Sequence, residues 1–150
     1  MTPDDLTNYL HTHIPLTRAL GVVAEAWDGR TLRLAAPLAP NLNHRGTAFG
    51  GSLSALAILS GWGAVHLGLG ERTAGVRLVV QRSTLDFDAP ADGDFTASST
   101  LPPAPEWDRF LLTLERRSRA RLVVPGELAC GGRRAGRHEG VYAVLRSQDV

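Results

Sequence analysis

Between Asn41 and Ser52 the chain reads NLNHRGTAFGGS, and an uncharged stretch from Phe49 to Leu69 follows. Polar groups and a Gly-Gly pair gathered at the start of an apolar helix are the ingredients of an anion-receiving site. The first backbone N–H groups of a helix lack internal partners and carry the positive end of its dipole. Gly50 and Gly51 would let a carbonyl approach that backbone closely. On its own, Asn43 reads as a turn residue bonding its own backbone. His44 is either a general base near neutral pH or a residue that ties the turn. Among the helix hydroxyls, Ser52 and Ser54 lie nearest the glycines. Fixed donors of this kind, beside a positioned water or nucleophile, could stabilise negative charge developing on such a carbonyl.

Other chemistry finds less support. Gly50-Gly51-Ser52-Leu53-Ser54 does not fit the G-x-S-x-G elbow of serine hydrolases. There is no P-loop, and Gly68-x-Gly70 is too bare for a dinucleotide fingerprint. His66, at the far end of the apolar helix, reads as a structural residue, and His11, His13 and His138 show no metal-ligand company, so no metal and no cofactor is expected. A net charge of +1 gives no electrostatic signature of nucleic acid. The arginines Arg116, Arg117, Arg119 and Arg121 are either a solvated tip or a receiver of phosphate or of an acidic carrier.

The elements that must position these residues follow from pattern. With 150 residues, 43% hydrophobic and 21% charged, a single globular domain over 1–150 is expected. Thr2-Pro3-Asp4-Asp5 starts a helix with Leu6, Tyr9, Leu10 and His13 on one face, and Pro15 ends it. Gly21–Trp27 and Thr31–Ala36 flank Asp28-Gly29, a two-residue hairpin signal. Pro37–Thr47 is loop. Phe49–Leu69, apolar nearly all round, reads as a core helix rather than a membrane span, being rich in Gly and Ser and lacking flanking anchors. Its small residues, Ala55, Ala57, Gly61, Gly63 and Ala64, point to tight packing. Strands are expected over Ala74–Phe87 and Asp94–Leu101. The three prolines of Leu101–Glu106 suggest a loop. Trp107–Glu115 and Arg121–Ala129 read as a hairpin around Arg116–Arg119, and Gly140–Arg146 as a short edge strand.

The fold class is therefore α+β, an antiparallel sheet of five or six strands curled around one long helix, with dimerisation covering what the sheet leaves open. A lone cysteine, Cys130, excludes an internal disulfide and fits a reducing cytoplasm. The N-terminal residues, with acids and no apolar core, are not expected to act as a signal peptide.

The run Asn43-His44-Arg45-Gly46-Thr47-Ala48-Phe49-Gly50-Gly51-Ser52, preceded by Leu38-Ala39-Pro40-Asn41 and followed by Gly61-Trp62-Gly63, resembles the hotdog-fold thioesterases, in particular the subfamily also found fused behind a GNAT-like acetyltransferase domain. The resemblance covers Ile14-Pro15-Leu16, the hairpin, the central helix and the strand ending Phe87-Asp88-Ala89-Pro90. It implies a homodimer or dimer of dimers with sites at the subunit interface, hydrolysing a thioester of coenzyme A or acyl carrier protein in fatty acid metabolism. It carries to Asn43 and Gly50 the holding of the carbonyl or the attacking water, and Phe49, Ser52 and the arginines are expected to contact substrate. The sequence departs from the family where many relatives place an acid, two turns into the helix: Ile58 stands there, and the helix has no acid at all. Ser52, Ser54, Ser60 and Asp86 are the candidate replacements. The missing acid leaves two further readings open, a non-catalytic thioester-binding or regulatory domain and a hotdog dehydratase.

Overall fold

A computed structural model describes residues 1–147. Its first helix, α1 (Pro3–His13), starts on a reciprocal cap. The Thr2 hydroxyl accepts the Asp5 N–H at 3.1 Å, and the Asp5 carboxylate accepts the Thr2 N–H at 2.8 Å. Leu6 and Leu10 are the buried face. Pro15 does more than end this helix, because it opens a second, α2 (Pro15–Leu20), after a break at Ile14. The hairpin of β1 (Val23–Trp27) and β2 (Thr31–Ala36) turns one residue later than expected, on Gly29-Arg30. Gly29 has φ 97°, and the Asp28 carboxylate accepts the N–H groups of Arg30 and Thr31.

The uncharged segment forms α3 (Gly50–Leu69), the axis of the molecule. By length and composition it could cross a membrane, but here the sheet wraps it. All six strands pair antiparallel in the order β1-β2-β4-β5-β6-β3, with β3 over Val76–Phe87, β4 over Phe95–Thr100, β5 over Arg119–Cys130 and β6 over Arg133–Arg146. The inner face supplies Leu32, Leu34, Phe95, Ala97, Leu122, Val124, Leu128, Tyr142 and Val144 to one core. The small residues of α3 serve packing, as expected. A Cβ on Gly61 would meet the Tyr142 ring, and one on Gly63 would stand 2.6 Å from Leu32. Beneath the helix the Tyr142 hydroxyl donates to the Ile58 carbonyl at 2.7 Å.

Two expectations are corrected. Trp107–Glu115 is no strand; it lies within α4 (Ala104–Arg117). Trp107, Phe110, Leu111 and Leu114 recur at i, i+3, i+4 and i+7 and pack on the core. Pro103 is the N-cap and Pro105 falls in the first turn, where a missing N–H costs nothing. The prolines therefore start this helix, and Arg116 and Arg117 form its C-terminal turn, a placement the dipole favours. Gly140–Arg146 is likewise not a short edge strand. It is the second half of β6, which sits inside the sheet and turns back on β5 through Gly131-Gly132, both at positive φ. Among the described residues the sheet ends on β1 and on β3, and β3 pairs on one side only and leaves Val79, Val80 and Phe87 exposed.

Candidate active site

The 41–52 segment is held from three directions. Asn41 is buried, and its side-chain N–H groups reach the carbonyls of Leu20 (2.9 Å) and Pro37 (2.7 Å). Its own carbonyl accepts the Phe49 N–H at 2.7 Å, while Ala48 donates to the Ala91 carbonyl at 2.8 Å. Asn41 was not singled out from the sequence, although it stands in the Leu-Ala-Pro-Asn run.

Asn43 builds the turn between these anchors. Its Oδ1 accepts the N–H groups of Arg45 (2.8 Å) and Thr47 (3.1 Å), and its Nδ2 donates to Thr47 Oγ1 (2.8 Å) and the Ala48 carbonyl (3.4 Å). Both donors and both acceptor positions of the amide are thereby used inside the loop. Gly46, at φ 79°, closes the turn. His44 is exposed at its tip and makes no hydrogen bond among the described residues, so it does not tie the turn.

The loop delivers the chain to α3 with Phe49 at the N-cap and no side-chain cap. Ser52 and Leu53 both donate to the Phe49 carbonyl, at 2.9 and 3.1 Å. The N–H groups of Gly50 and Gly51 take no protein partner among the described residues, leaving two adjacent free donors at the positive end of a twenty-residue helix. Two exposed phenyl rings flank them. A Cβ on Gly51 would lie within 3.1 Å of three Phe49 ring atoms, and one on Gly50 would sit 3.6 Å from the Phe87 ring. Phe87 of β3 was read from the sequence only as the end of a strand. Ser54, one turn along from Gly50, is half-buried, and its hydroxyl has no partner among the described residues; Ser52 is buried.

The remaining candidates lie elsewhere. Ser60 is buried and bonded to Ser99 at 2.6 Å. Asp86 is exposed, and alternation along β3 puts it on the face opposite Leu85 and Phe87, away from α3. Arg119 starts β5 nine residues before Leu128, which aligns through Gly136 with Phe87. At about 3.3 Å per residue this places it roughly 30 Å from the Gly50 end of the sheet. Arg116 and Arg117 precede it on α4, so within one chain the arginines and the glycine pair do not share a site.

His66 is packed rather than poised for chemistry. Its ring lies 4.9 Å from Trp62 and 4.8 Å from Tyr9, and Tyr9 stacks on His13 at 4.0 Å. Burial, and secondarily the nearby His13, lowers its pKa below the usual imidazole value.

Comparison with known proteins places this arrangement. A family model described as "Putative thioesterase (yiiD_Cterm)" matches residues 3–146. A Chlorobaculum tepidum TLS protein of unknown function is 30% identical and superposes with a TM-score of 0.90 over 97% of this chain and 98% of that one. A Pseudomonas aeruginosa protein of unknown function, described as a probable thioesterase, is 27% identical with a TM-score of 0.82 over 97% of each chain. A structure described as the putative thioesterase from Shewanella oneidensis, at 24% identity, shares the fold with a TM-score of 0.85 over 95% of this chain and 96% of that one. The six-stranded antiparallel sheet around a long central helix is the hotdog fold, and the chain belongs to the yiiD C-terminal thioesterase family.

Proposed function

We propose that this protein hydrolyses an acyl thioester carried on coenzyme A or acyl carrier protein, with the thioester carbonyl received by the Gly50 and Gly51 N–H groups. The observation that carries the reading is the pair of free amides at the start of α3, set between the Phe49 and Phe87 rings. As water adds to the carbonyl carbon, negative charge grows on the carbonyl oxygen. Fixed donors stabilise that charge without reorganising, and losing one such donor typically costs about 10²–10³ in kcat. The two phenyl rings give the acyl group an apolar entrance. Asn43 acts by holding the loop that aims the glycines, its amide being saturated there. The unpartnered Ser54 hydroxyl is the nearest group on α3 that holds the attacking water, and Ser52 packs beside it.

The site is completed by a second copy. β3 has an unpaired edge twelve residues long, and identical edges pair antiparallel about a two-fold axis. That pairing carries the partner's arginine end of the sheet toward this chain's glycine end. Arg116, Arg117 and Arg119 of one subunit then meet the phosphates or acidic carrier of a substrate bound at the other. Asp86, on the outer face, and His44, at the loop tip, meet that substrate only through the second subunit.

One observation favours a second reading, a thioester-binding domain without turnover: α3 carries Ile58 in place of an acid. Free-thiol release from a panel of acyl-CoAs of differing chain length decides between the two. Turnover supports hydrolysis, and saturable binding without turnover supports the binding domain. Hydration of an enoyl thioester would instead reveal a dehydratase.

A further inference from the structure

Beyond the glycine pair, α3 keeps one face out of the core. Gly51, Ser54, Ala55, Ile58 and Trp62 recur at i, i+3, i+4, i+7 and i+11 and so share one side of the helix. Gly51 is exposed and the other four are half-buried, while the rest of the helix from Ser52 to His66 is buried. The inner face of β3 is left open in the same way. Leu78, Ser83, Leu85 and Phe87 stand opposite Val144, Gly140, His138 and Gly136 of β6 and share their face. Those four β6 residues are buried, yet Ser83 and Phe87 are exposed and Leu78 and Leu85 only half-buried. α3 therefore does not cover the last strand, and a furrow runs between the two. Its walls are mainly apolar. The Ser83 hydroxyl is spent within the sheet, 2.8 Å from Nε2 of buried His138.

The furrow has an open end and a closed one. It opens at the Gly50–Phe87 contact, beside the free amides. It closes at Trp62, whose indole crosses from α3 to β3 and donates from Nε1 to the Leu78 carbonyl at 3.0 Å. His66 stacks on this ring at 4.9 Å and Tyr9 at 6.3 Å. A ring held by a hydrogen bond to one element and by stacking on two others is a fixed wall. Polarity sets which way a substrate lies. On the far side of the glycines is the loop with Asn43 and Thr47, which exposes His44 and Arg45 and suits a charged carrier. A hydrocarbon chain whose carbonyl sits on Gly50 and Gly51 leaves water only by lying the other way, over Ile58 and Leu85.

We propose that Trp62 is the end wall of an acyl-binding furrow between α3 and β3 and restricts the substrate to medium-chain acyl groups; this rests on the reading above, in which Gly50 and Gly51 receive the carbonyl. The helix rises about 18 Å from Gly50 to Trp62. Contact with the ring takes up about 4 Å of that length. With carbon–carbon bonds of about 1.5 Å, an extended chain advances about 1.25 Å per carbon, so the furrow holds roughly ten to twelve carbons. Within that length each added CH₂ gains burial. Beyond it the chain meets the indole, the extra carbons stay in water, and the gain stops.

The test measures kcat/KM on saturated acyl-CoAs from butanoyl to hexadecanoyl for the wild type, Trp62→Leu and Ala55→Leu. The wild type is expected to peak at decanoyl or dodecanoyl and to fall at hexadecanoyl. Trp62→Leu removes the ring and keeps an apolar residue. It should raise the ratio of kcat/KM for hexadecanoyl over decanoyl by about tenfold, the effect of burying two further CH₂ groups. Ala55→Leu adds bulk partway along the furrow and should move the peak to shorter chains; it is the deciding variant if Trp62→Leu does not fold. A tryptophan kept for packing alone would lower kcat/KM for all chain lengths alike, and that result overturns the proposal. So does a wild type that peaks at butanoyl or hexadecanoyl, or a folded variant with the wild-type profile. If the wild type turns over no acyl thioester, both readings fail. If Gly50→Pro abolishes a turnover whose chain-length profile Trp62→Leu leaves in place, only this one does.

Discussion

Asn43 and Thr47 hold each other three times: the Asn43 side-chain amide donates to Thr47 Oγ1 at 2.8 Å and accepts the Thr47 N–H at 3.1 Å, and the Asn43 backbone N–H donates to the Thr47 carbonyl at 2.8 Å. The loop that starts α3 is thus built around one side chain. Asn43→Ala removes every bond of that amide, and a part-buried hydrogen bond contributes about 1 kcal/mol. Activity should fall at least about tenfold together with the melting temperature. Thr47→Val, which keeps the backbone bond, should lose less of both. Thiol release and thermal melting on the two variants check this, and full activity in Asn43→Ala would contradict the holding role.

The α3 segment was legible because a charge-free stretch of that length has to be buried, and α1 because its cap is written in Thr2 and Asp5. α4 was misread because Pro103 and Pro105 look like breakers when their meaning is positional: in the first turn they are starters. The first half of β6 was missed because glycines interrupt its pattern. Gly136 is required there, since a Cβ would sit 2.8 Å from the Asp86 carbonyl oxygen of the neighbouring strand. The glycine pair of the site could be read locally. Phe87 against Gly50 and Ser83 on His138 could not, because nothing local sets which distant strand residues meet.

Gly61 lies under the Tyr142 ring, and an added Cβ would overlap ring atoms held between α3 and β6. Tyr142 is fully buried and fixed by its bond to Ile58, so it cannot move aside. Gly61→Ala is expected to destabilise by about 1–3 kcal/mol, and Tyr142→Phe by about 1 kcal/mol. Denaturant unfolding measures both. A Gly61→Ala protein as stable as wild type would show that the ring is not confined.

Acid should weaken the fold through its buried histidines. His66 and His138 have pKa values lowered by burial from an ordinary value of 6.5. Unfolding frees each ring to bind a proton, so below about pH 6.5 the unfolded state takes up more protons than the folded one. Their contribution is present above that pH and is lost progressively toward the depressed folded-state values. The melting temperature is expected to drop between pH 7 and pH 5, and less steeply in His66→Phe, which keeps a ring between Tyr9 and Trp62. Identical slopes would remove His66 from the account.

The open β3 edge predicts a two-fold assembly. Sedimentation should find two or four copies of the chain. Val80→Asp, at an exposed β3 position, should shift the distribution toward one copy and lower kcat along with it. A fully active monomer would contradict a shared site.

The most direct test of the central claim deletes one N–H and little else. Gly50 is the first residue of α3, where proline is favoured, and Phe49 before it has φ −62° and ψ 133°, the extended conformation a following proline requires. Gly50→Pro should therefore fold with an unchanged or higher melting temperature while kcat for acyl-CoA hydrolysis falls about 10²–10³-fold. Gly50→Ala, which keeps the N–H and whose Cβ makes only ordinary contact with Phe87, should lose far less. A Gly50→Pro protein that hydrolyses acyl-CoA at the wild-type rate would show that the carbonyl is not held at the start of α3.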